Sequence, residues 1–255
     1  MAALEGKVAW ITGGGSGIGL AGAVALAREG AHVVITGRTK KSLDSGLAEV
    51  KKAGSAEAIL LDVKDRAAVT KVAADIEKRH ARIDILVNSA GTNISGAKRN
   101  LDKMSLDDWD DVVRINLDGL FYCCYAVIPG MRKRKDGLII NISSRAGRYA
   151  TSLTGPAYNA TKRAVIALTE SINLEECMHG IRATSVLPGE VATPIMAKRP
   201  VPPSPERLAE MSQPEDLGET ILYLAKMPPR TCVEEIIIGP TLNRLAIGGL
   251  ETPKG

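Results

Sequence analysis

Tyr158 and Lys162 are the residues of this sequence whose types and spacing most directly suggest chemistry. They are four positions apart on a predicted helix, so their side chains share one face. A tyrosine hydroxyl, with a pKa of about 10, is a poor acid or base at neutral pH. A lysine ammonium a few ångströms away favours the phenolate and lowers that pKa. The pair is therefore suited to moving a proton, although the same spacing also arises by chance.

Two further polar side chains could join this pair. Ser144 follows a predicted strand at 138–142, at the edge of a parallel sheet that faces the ligand crevice. Its hydroxyl could hydrogen-bond a substrate oxygen whose charge changes during reaction. Asn116 lies within a predicted helical region, where asparagine is unfavourable unless something requires it. It either holds a water in a proton relay or only interrupts the helix.

A glycine-rich run stands where the first predicted strand passes into the first predicted helix. It reads Thr12-Gly13-Gly14-Gly15-Ser16-Gly17-Ile18-Gly19. Glycines there let the backbone turn tightly and approach a pyrophosphate, whose charge the helix N-terminus favours. A tight turn alone would also select glycine, but the position between a strand and a helix predicts a dinucleotide site.

The end of the second predicted strand bears on the choice of dinucleotide, because it lies under the adenosine ribose in such folds. An acidic residue there would hydrogen-bond the ribose 2′-hydroxyl. This chain has Gly37 followed by Arg38, with Lys40 and Lys41 nearby. A planar guanidinium suits a phosphate. The sequence therefore predicts NADP(H) rather than NAD(H), the alternative being that Arg38 is an ordinary surface residue.

Short apolar runs alternate with helical patterns along the chain. Strands are predicted at 8–11, 33–36, 58–61, 83–87, 138–142, 181–187 and 235–238, and helices at 18–28, 41–52, 67–79, 105–114, 117–133, 157–178 and 215–226. Strands that are apolar throughout are typical of a parallel sheet buried on both faces. The prediction is an α/β fold, a Rossmann-type doubly wound parallel sheet of about seven strands with helices on both faces.

The organisation of domains follows from the one compositional break, at 200–205, which contains four prolines. A boundary there would leave only about fifty residues beyond it, too few for an independent core. We therefore expect residues 1–255 to form a single dinucleotide-binding and catalytic domain. The segment 190–213 would be a short substrate lid.

Composition excludes several classes of protein. The 255 residues are 45% hydrophobic and 24% charged with a net charge of +4, which is not typical of disordered or coiled-coil chains. The basic run 132–135 has no interleaved aromatic residues, so we read it as a solvated helix end and expect no nucleic acid. No signal peptide and no window of about 18 apolar residues is apparent. We therefore expect no association with a membrane. The four cysteines lack the spacing of a zinc site, so we expect no metal and reduced thiols in a cytoplasmic protein.

Taken in order, these motifs resemble those of the classical short-chain dehydrogenase/reductase family. The resemblance rests on the T-G-x-x-x-G-x-G spacing at 12–19, Asn88-Ser89-Ala90-Gly91, Asn116, Ser144, the pair Tyr158 and Lys162, and Leu187-Pro188-Gly189. It covers roughly residues 4–240. The extended branch of the family has T-G-x-x-G-x-x-G instead, which argues against epimerase or dehydratase chemistry.

The resemblance implies an NADP(H)-dependent oxidoreductase that reduces a small carbonyl compound, such as an aldehyde, a ketone or a 3-oxo acid, or oxidises the matching alcohol. Ser144 would orient the carbonyl, and Tyr158 would be the general acid or base. Lys162 would lower the tyrosine pKa and hold the nicotinamide ribose, while Asn116 would seat a relay water. The cofactor-binding residues would be Gly13, Gly15, Ser16, Ile18, Gly19, Arg38, Asp62, Val63, Asn88, Ala90, Gly91, Tyr158, Lys162, Pro188, Gly189, Val191 and Thr193.

The resemblance also implies an oligomeric state and leaves alternative functions open. The family commonly forms homotetramers, so we expect a homotetramer or a homodimer. Ser89 stands where the family usually has asparagine, and the last strand ends in 238–241, Ile-Gly-Pro-Thr, where fatty-acid-synthesis reductases have a different turn. That ending favours small 3-hydroxy acids or aldehydes, with a 3-oxoacyl-carrier-protein reductase as an alternative. A non-catalytic dinucleotide-binding regulatory protein is another alternative, although it would be expected to lose the serine, tyrosine or lysine.

Four basic residues could bear on the substrate. Arg145 and Arg148 follow Ser144, and Lys98 and Arg99 lie in the loop after the fourth predicted strand. One of them could hold a substrate carboxylate or another anion. Plain exposure to solvent is the alternative.

Overall fold

The strands lie side by side in one parallel sheet, within residues 2–243, the part of the chain that this computed structural model describes. They are β1 Val8–Thr12, β2 His32–Gly37, β3 Ala56–Leu60, β4 Ile85–Asn88, β5 Gly137–Ile142, β6 Ile181–Pro188 and β7 Glu235–Ile238. Their order is β3-β2-β1-β4-β5-β6-β7, and each neighbouring pair is parallel. The predicted doubly wound sheet of seven strands is confirmed.

The strand order reverses between β1 and β4, and this switch point sets the place of the site. Thr12 at the end of β1 is paired with Thr36 of β2 on one side and with Asn88 of β4 on the other. The carboxyl ends of these three strands therefore lie level at one edge. In open α/β sheets, ligands bind in the crevice outside this edge, at the switch point.

Helices cover both faces of the sheet. They are α1 Gly17–Arg28, α2 Lys40–Ala53, α3 Arg66–His80, α4 Leu106–Val113, α5 Gly119–Arg134, α6 Arg145–Arg148, α7 Pro156–Glu176, α8 Pro205–Ala209 and α9 Pro214–Lys226. One core packs α1 and α9 against the face that carries Ala9 and Ile11, and the other packs α3, α5 and α7 against the face that carries Val8 and Trp10. Successive strand side chains point to opposite faces, so a strand buried on both must be apolar throughout.

The predicted helices and strands are present, with ends that differ by one or two residues. The sequence analysis missed the two shortest helices, α6 and α8, because neither is long enough to show a helical period. α8 follows the proline-rich segment and begins at Pro205, a position where the missing N–H costs nothing. Ser204 caps it by accepting a hydrogen bond from the N–H of Arg207.

The two helices predicted at 105–114 and 117–133 are in fact joined, because a π-helical turn at Arg114–Asp118 connects α4 to α5. Asn116 lies in this turn and is fully buried. Its side-chain oxygen accepts from the backbone N–H of Thr92 at 2.8 Å, and its side-chain nitrogen donates to the Thr92 carbonyl at 2.9 Å. π turns are rare and often accompany functional sites. Here the turn ties the long helix to the loop that follows β4.

The helix spanning Leu106–Arg134 is long and apolar enough to cross a membrane by length and composition, which the sequence analysis did not expect. Its side chains Leu120, Cys123 and Val127 are instead buried in the core against the sheet. A core helix satisfies the same two criteria, so this helix alone is weak evidence for a membrane span.

Removing the Asn116 side chain should destabilise the protein. In Asn116→Ala, the buried N–H and carbonyl of Thr92 both lose their partner, and we expect the free energy of unfolding to fall by about 2 kcal/mol. Urea denaturation measures this change. Asn100→Ala, at an exposed position, is the control and should stay near the parent value. A loss below about 0.5 kcal/mol for Asn116→Ala would contradict the tie described above.

Candidate active site

The glycine-rich turn after β1 is held directly against the loop after β4. The Thr12 hydroxyl oxygen accepts from the backbone N–H groups of Ser89 and Ala90, at 3.2 and 3.1 Å. Gly13 has a φ of +66°, and a Cβ atom there would lie 2.9 Å from the backbone of Ala90. Because that approach is closer than a side chain tolerates, only glycine fits. The two loops therefore form one continuous wall.

This wall bounds a cavity of about 340 Å³, here called the cofactor crevice, which the residues after β6 close on the opposite side. A smaller pocket adjoins it under the end of β2. Many of the residues predicted from the sequence line one or both of these spaces: Gly13, Ser16, Ile18, Arg38, Asp62, Val63, Ala90, Gly91, Ser144, Tyr158, Lys162, Pro188, Gly189, Val191 and Thr193.

Other predicted residues lie behind the wall rather than on it. A Cβ atom on Gly15 would lie 3.0 Å from the backbone of Ser42, and one on Gly19 would lie 2.5 Å from the carbonyl oxygen of Gly13. These glycines allow α1 and α2 to pack closely on the turn. Asn116 is also behind the wall, bonded to the loop after β4 as described above. The spacing of a sequence motif does not distinguish a residue that lines the crevice from one that packs behind its wall.

Asn88 is likewise buried below the crevice. Its side-chain nitrogen donates to the side-chain oxygen of Asn141 at 2.9 Å. The Asn141 side-chain nitrogen in turn donates to the hydroxyl of Thr169, also at 2.9 Å. This chain of buried hydrogen bonds joins β4, β5 and α7. The side chain of Asn88 therefore aligns the elements that carry the site and does not reach into it.

The first turns of α7 are fixed to the end of β5 by two reciprocal hydrogen bonds. The Ser143 hydroxyl donates to the carbonyl oxygen of Lys162 at 2.7 Å, and Lys162 Nζ donates to the carbonyl oxygen of Ile142 at 2.8 Å. Lys162 Nζ lies 5.5 Å from the centre of the Tyr158 ring. Ser144 lies close enough to Tyr158 to lower the pKa of its hydroxyl. The structure thus brings Ser144, Tyr158 and Lys162 together, as their spacing predicted.

Burial controls the protonation of this group. It lowers the pKa of Lys162 to about 8. It also raises the pKa of Tyr158, against the opposing effects of the hydrogen bond from Ser144 and of the positive charge of Arg99. Lys162 is not among the causes of this shift, so its expected effect on the tyrosine pKa stays a prediction.

Arg99 has a structural role that sequence reasoning missed. It is buried, and its guanidinium donates to the carbonyl oxygens of Ile94 at 2.8 Å, Gly96 at 3.1 Å and Leu153 at 2.9 Å, and also to that of Lys198. It therefore joins the loop after β4, the loop before α7 and the segment between β6 and α9. Nothing in the sequence distinguishes a buried arginine from an exposed one.

The segment from 189 to 213, here called the β6–α9 segment, is pinned at its two ends. Val191 forms an isolated parallel bridge with Ser212. The carboxylate of Glu190, which is buried, pairs with the guanidinium groups of both Arg199 and Arg207. Because the ends are held together, the residues between them form a compact loop over the crevice rather than a free arm.

This segment supplies crevice-lining residues that the prediction did not include. Ile195, Met196 and Lys198 line the crevice together with Thr92. Lys198 Nζ donates to the Thr92 hydroxyl at 2.6 Å and to the carbonyl oxygen of Asn93 at 3.0 Å. In the sequence, the only indication that Ile195, Met196 and Lys198 line the crevice was their position just after Val191 and Thr193.

The charge of the cofactor crevice is positive. Its lining carries Arg38, Lys162 and Lys198 and, among the described residues, no aspartate or glutamate. The charge of Arg38 is close enough to lower the pKa of Lys198, as does burial. With the glycine turn whose backbone can approach a ligand closely, this lining fits the phosphates of a dinucleotide. Arg38 also lines the adjoining pocket, beside Asp62 and Val63.

A second cavity of about 290 Å³, here called the substrate cavity, shares Ser144 and Tyr158 with the cofactor crevice. Apolar side chains make up much of its wall, among them Ala146, Leu153 and Met196. The tyrosine hydroxyl and the serine hydroxyl thus stand between a space suited to a dinucleotide and a space suited to a small molecule. That arrangement can move a proton to or from an oxygen atom held beside a hydride carrier.

In the described part of the chain, one side-chain group could hold a metal ion. His32, Glu57 and His80 place their ligand atoms within 4.8 Å of one another. Arg79 already pairs with the Glu57 carboxylate at 2.9 Å. His32 begins β2, so the group lies at the opposite end of that strand from the crevice. It takes no part in the candidate active site.

Comparison with known proteins places this site in a family. The chain matches the family described as short chain dehydrogenase over residues 7–202. An uncharacterized oxidoreductase of Staphylococcus aureus (strain USA300) is 33% identical over 240 residues, which cover 94% of this chain and 100% of that protein. The 3-oxoacyl-(acyl-carrier-protein) reductase FabG of Thermotoga maritima is 36% identical over 228 residues, covering 87% and 91%.

A solved structure agrees with the sequence relatives. The crystal structure of a metagenomic short-chain oxidoreductase in complex with NADP is 31% identical and has a TM-score of 0.80, covering 94% of this chain and 99% of that one. The site residues, the sheet order and these relatives lead to one conclusion: the chain is an oxidoreductase of the short-chain dehydrogenase/reductase family.

Proposed function

We propose that this protein is an NADP(H)-dependent oxidoreductase that reduces a small aldehyde, ketone or 3-oxo acid, or oxidises the matching alcohol. The observation that carries the proposal is the position of Tyr158. Its side chain, together with that of Ser144, forms part of the wall of both the cofactor crevice and the substrate cavity. A proton donor at that boundary can act on an oxygen atom while a hydride reaches the attached carbon from the other side.

The preference for NADP(H) is supported by Arg38 and by the absence of an acid at the end of β2. Arg38 lines both the crevice and the pocket under β2, where an adenosine ribose would lie. An acidic side chain at that strand end would repel a 2′-phosphate, whereas a guanidinium can bind it with two hydrogen bonds. The metagenomic relative was crystallised with NADP, which agrees with this proposal.

In the proposed mechanism, the bound nicotinamide supplies or accepts a hydride. Ser144 donates a hydrogen bond to the carbonyl oxygen, and the Tyr158 hydroxyl donates its proton to that oxygen during reduction. Because burial raises the pKa of Tyr158, the hydroxyl keeps its proton at neutral pH, which is the form that reduction needs. Lys162 would hold the nicotinamide ribose. Asn116, whose two side-chain polar atoms both bond to Thr92, would seat a relay water.

We further propose that the β6–α9 segment acts as a substrate lid on a single domain, and that the protein works in the cytoplasm. The segment lines both cavities through Ile195 and Met196. The four cysteines are unpaired, with Cys177 and Cys232 exposed, which suits a reducing compartment. A carrier-protein-linked substrate is a second candidate, favoured by the 36% identity to the Thermotoga maritima reductase.

The role of Tyr158 is tested by Tyr158→Phe. We expect NADPH oxidation with a panel of aldehydes, ketones, 3-oxo acids and a 3-oxoacyl thioester to fall by at least about 100-fold, because the general acid is gone. NADPH affinity should change little. Tyr223→Phe, at an exposed position on α9, is the matched control and should keep the parent rate. Equal rates for Tyr158→Phe and the parent would refute the mechanism. Tight NADPH binding by the parent without turnover of any compound would instead favour a regulatory protein.

The cofactor preference is tested by Arg38→Ala. We expect the Kd for NADPH to rise by about tenfold or more, the loss associated with a hydrogen-bonded charge, while the Kd for NADH stays within about threefold. Fluorescence titration measures both constants. Lys52→Ala, which removes an exposed lysine of α2, is the control. Parent protein that binds NADH as tightly as NADPH would overturn the assignment.

We propose a homotetramer or homodimer, supported by large exposed apolar side chains. Phe121 and Tyr125 on α5 are 45% and 70% exposed, and Leu174 near the end of α7 is 81% exposed. Apolar groups clustered on a surface often mark an interface. Sedimentation velocity should show an oligomer in the parent and a smaller species in Phe121→Glu. A Leu101→Glu control, in the loop before α4, should sediment as the parent does. A monomeric parent would refute this proposal.

A further inference from the structure

The substrate cavity carries an excess of positive charge. Its charged lining residues are Arg99, Arg145, Arg199 and Glu190. The single carboxylate is not available to all three arginines. Glu190 pairs with Arg199 at 2.8 Å and also with Arg207. Its negative charge is therefore already paired with arginines of the β6–α9 segment. Two guanidinium groups remain without a carboxylate partner among the described residues.

Arg99 is the first of these. Its guanidinium is bonded to carbonyl oxygens only, and Arg199 is close enough for like-charge repulsion to lower its pKa, together with burial. A buried cation without a counter-ion is costly, and its field is screened little by water. The positive charge of Arg99 also acts on Tyr158. Arg99 therefore favours the binding of an anion in the substrate cavity.

Arg145 is the second. It follows Ser144 directly as the first residue of α6, and its guanidinium lies 5.2 Å from the ring centre of Tyr149. The aromatic face holds the side chain without using its hydrogen-bond donors. No acceptor within residues 2–243 takes a hydrogen bond or an ion pair from it, apart from this ring contact. Its five donors are thus available in a fork that matches a carboxylate.

The other basic candidates named from the sequence do not qualify. Arg148 pairs with Glu235 at 2.8 Å and with Glu170 at 3.3 Å, and it does not line the cavity. Lys98 is exposed and does not line it either. Of the four basic residues considered for binding a substrate anion, the structure therefore leaves Arg145. Arg99 adds to the positive electrostatic potential of the cavity.

We propose that the substrate cavity binds a carbonyl compound that also carries a carboxylate, with Arg145 binding the carboxylate through its guanidinium and Arg99 as a positioning residue behind it. Ser144 and Arg145 both line this cavity of about 290 Å³, so one small molecule can present its carbonyl group to the first and its carboxylate to the second. The apolar side chains of Ala146, Leu153 and Met196 suit the apolar stem between these two groups. A short oxo acid fits this description. The inference rests on the proposed function, since it concerns the substrate of that same site.

The test measures binding rather than turnover. Protein saturated with NADP in its oxidised form is titrated calorimetrically with acetoacetate and with methyl acetoacetate, and with 4-formylbenzoate and its methyl ester as a longer pair. Oxidised cofactor cannot reduce these compounds, so equilibrium affinities are obtained. We expect at least one acid to bind about tenfold or more tightly than its ester, the effect of a charged hydrogen-bonded pair.

The variants assign this preference to one residue. In Arg145→Gln, the acid should lose affinity until acid and ester differ by less than about threefold, while the ester's Kd stays as in the parent. Arg148→Gln removes a guanidinium three positions along the same short helix, outside the cavity, and should keep the parent preference. Arg145→Lys, which keeps the charge but loses the planar fork, should lie between the two.

Two results would overturn the inference. One is that neither acid binds more tightly than its ester in the parent, including the case where neither compound binds. The other is a preference for the acid that Arg145→Gln leaves unchanged. A parallel assay with NADPH separates this from the proposed function. Reduction of esters and acids at equal efficiency, with equal affinities, would leave the reductase assignment standing and remove the anion site. Acid binding through Arg145 without reduction of any carbonyl compound would keep the anion site and remove the reductase assignment.

Discussion

The buried guanidinium of Arg99 binds carbonyl oxygens from the loop after β4, the loop before α7 and the β6–α9 segment. These three stretches all contribute lining residues to the substrate cavity, and they come from parts of the chain about fifty residues apart. A planar group with five donors can meet several carbonyls at once, whereas an ammonium has only three. The shape of the substrate cavity and the charge inside it therefore depend on the same side chain.

The first turns of α7 likewise combine a structural role with a role in the site. The Ser143 hydroxyl donates to the carbonyl oxygen of Lys162, and Lys162 Nζ donates to that of Ile142. These two bonds fix the helix on β5 and hold Lys162 in the lining of the cofactor crevice. Burial there lowers the lysine pKa to about 8 and raises that of Tyr158. Both shifts follow from one cause, the loss of hydration of the charged form. The tyrosine is thereby kept as a proton donor near neutral pH, while the charge of Arg99 acts in the opposite direction on its pKa.

The elements of the fold were predictable because the inner strands β1, β2, β4, β5 and β6 are buried on both faces, whereas the edge strands β3 and β7 are only partly buried. That burial requires uninterrupted apolar runs, which short windows of sequence reveal. The same local logic located the glycine turn, Ser144, Tyr158 and Lys162, all at element ends facing one edge of the sheet. It failed where the outcome depended on distant contacts. The two predicted helices are joined by a π turn whose Asn116 bonds to Thr92, and the Asn88 side chain lies in a chain of buried hydrogen bonds below the crevice.

By itself, the sequence determined the alternation of strands and helices, the backbone turn that only glycine can make, and the presence of a tyrosine and a lysine on one helical face. These are local properties, set by neighbours within a few residues. The tertiary structure alone decided which arginines are buried, which of them meet a carboxylate, and how the Tyr158 hydroxyl titrates. Burial and electrostatic pairing arise between residues far apart in the chain, so no short window of sequence contains them. For Arg99, Arg145 and Arg148, identical side chains acquire three different environments for that reason.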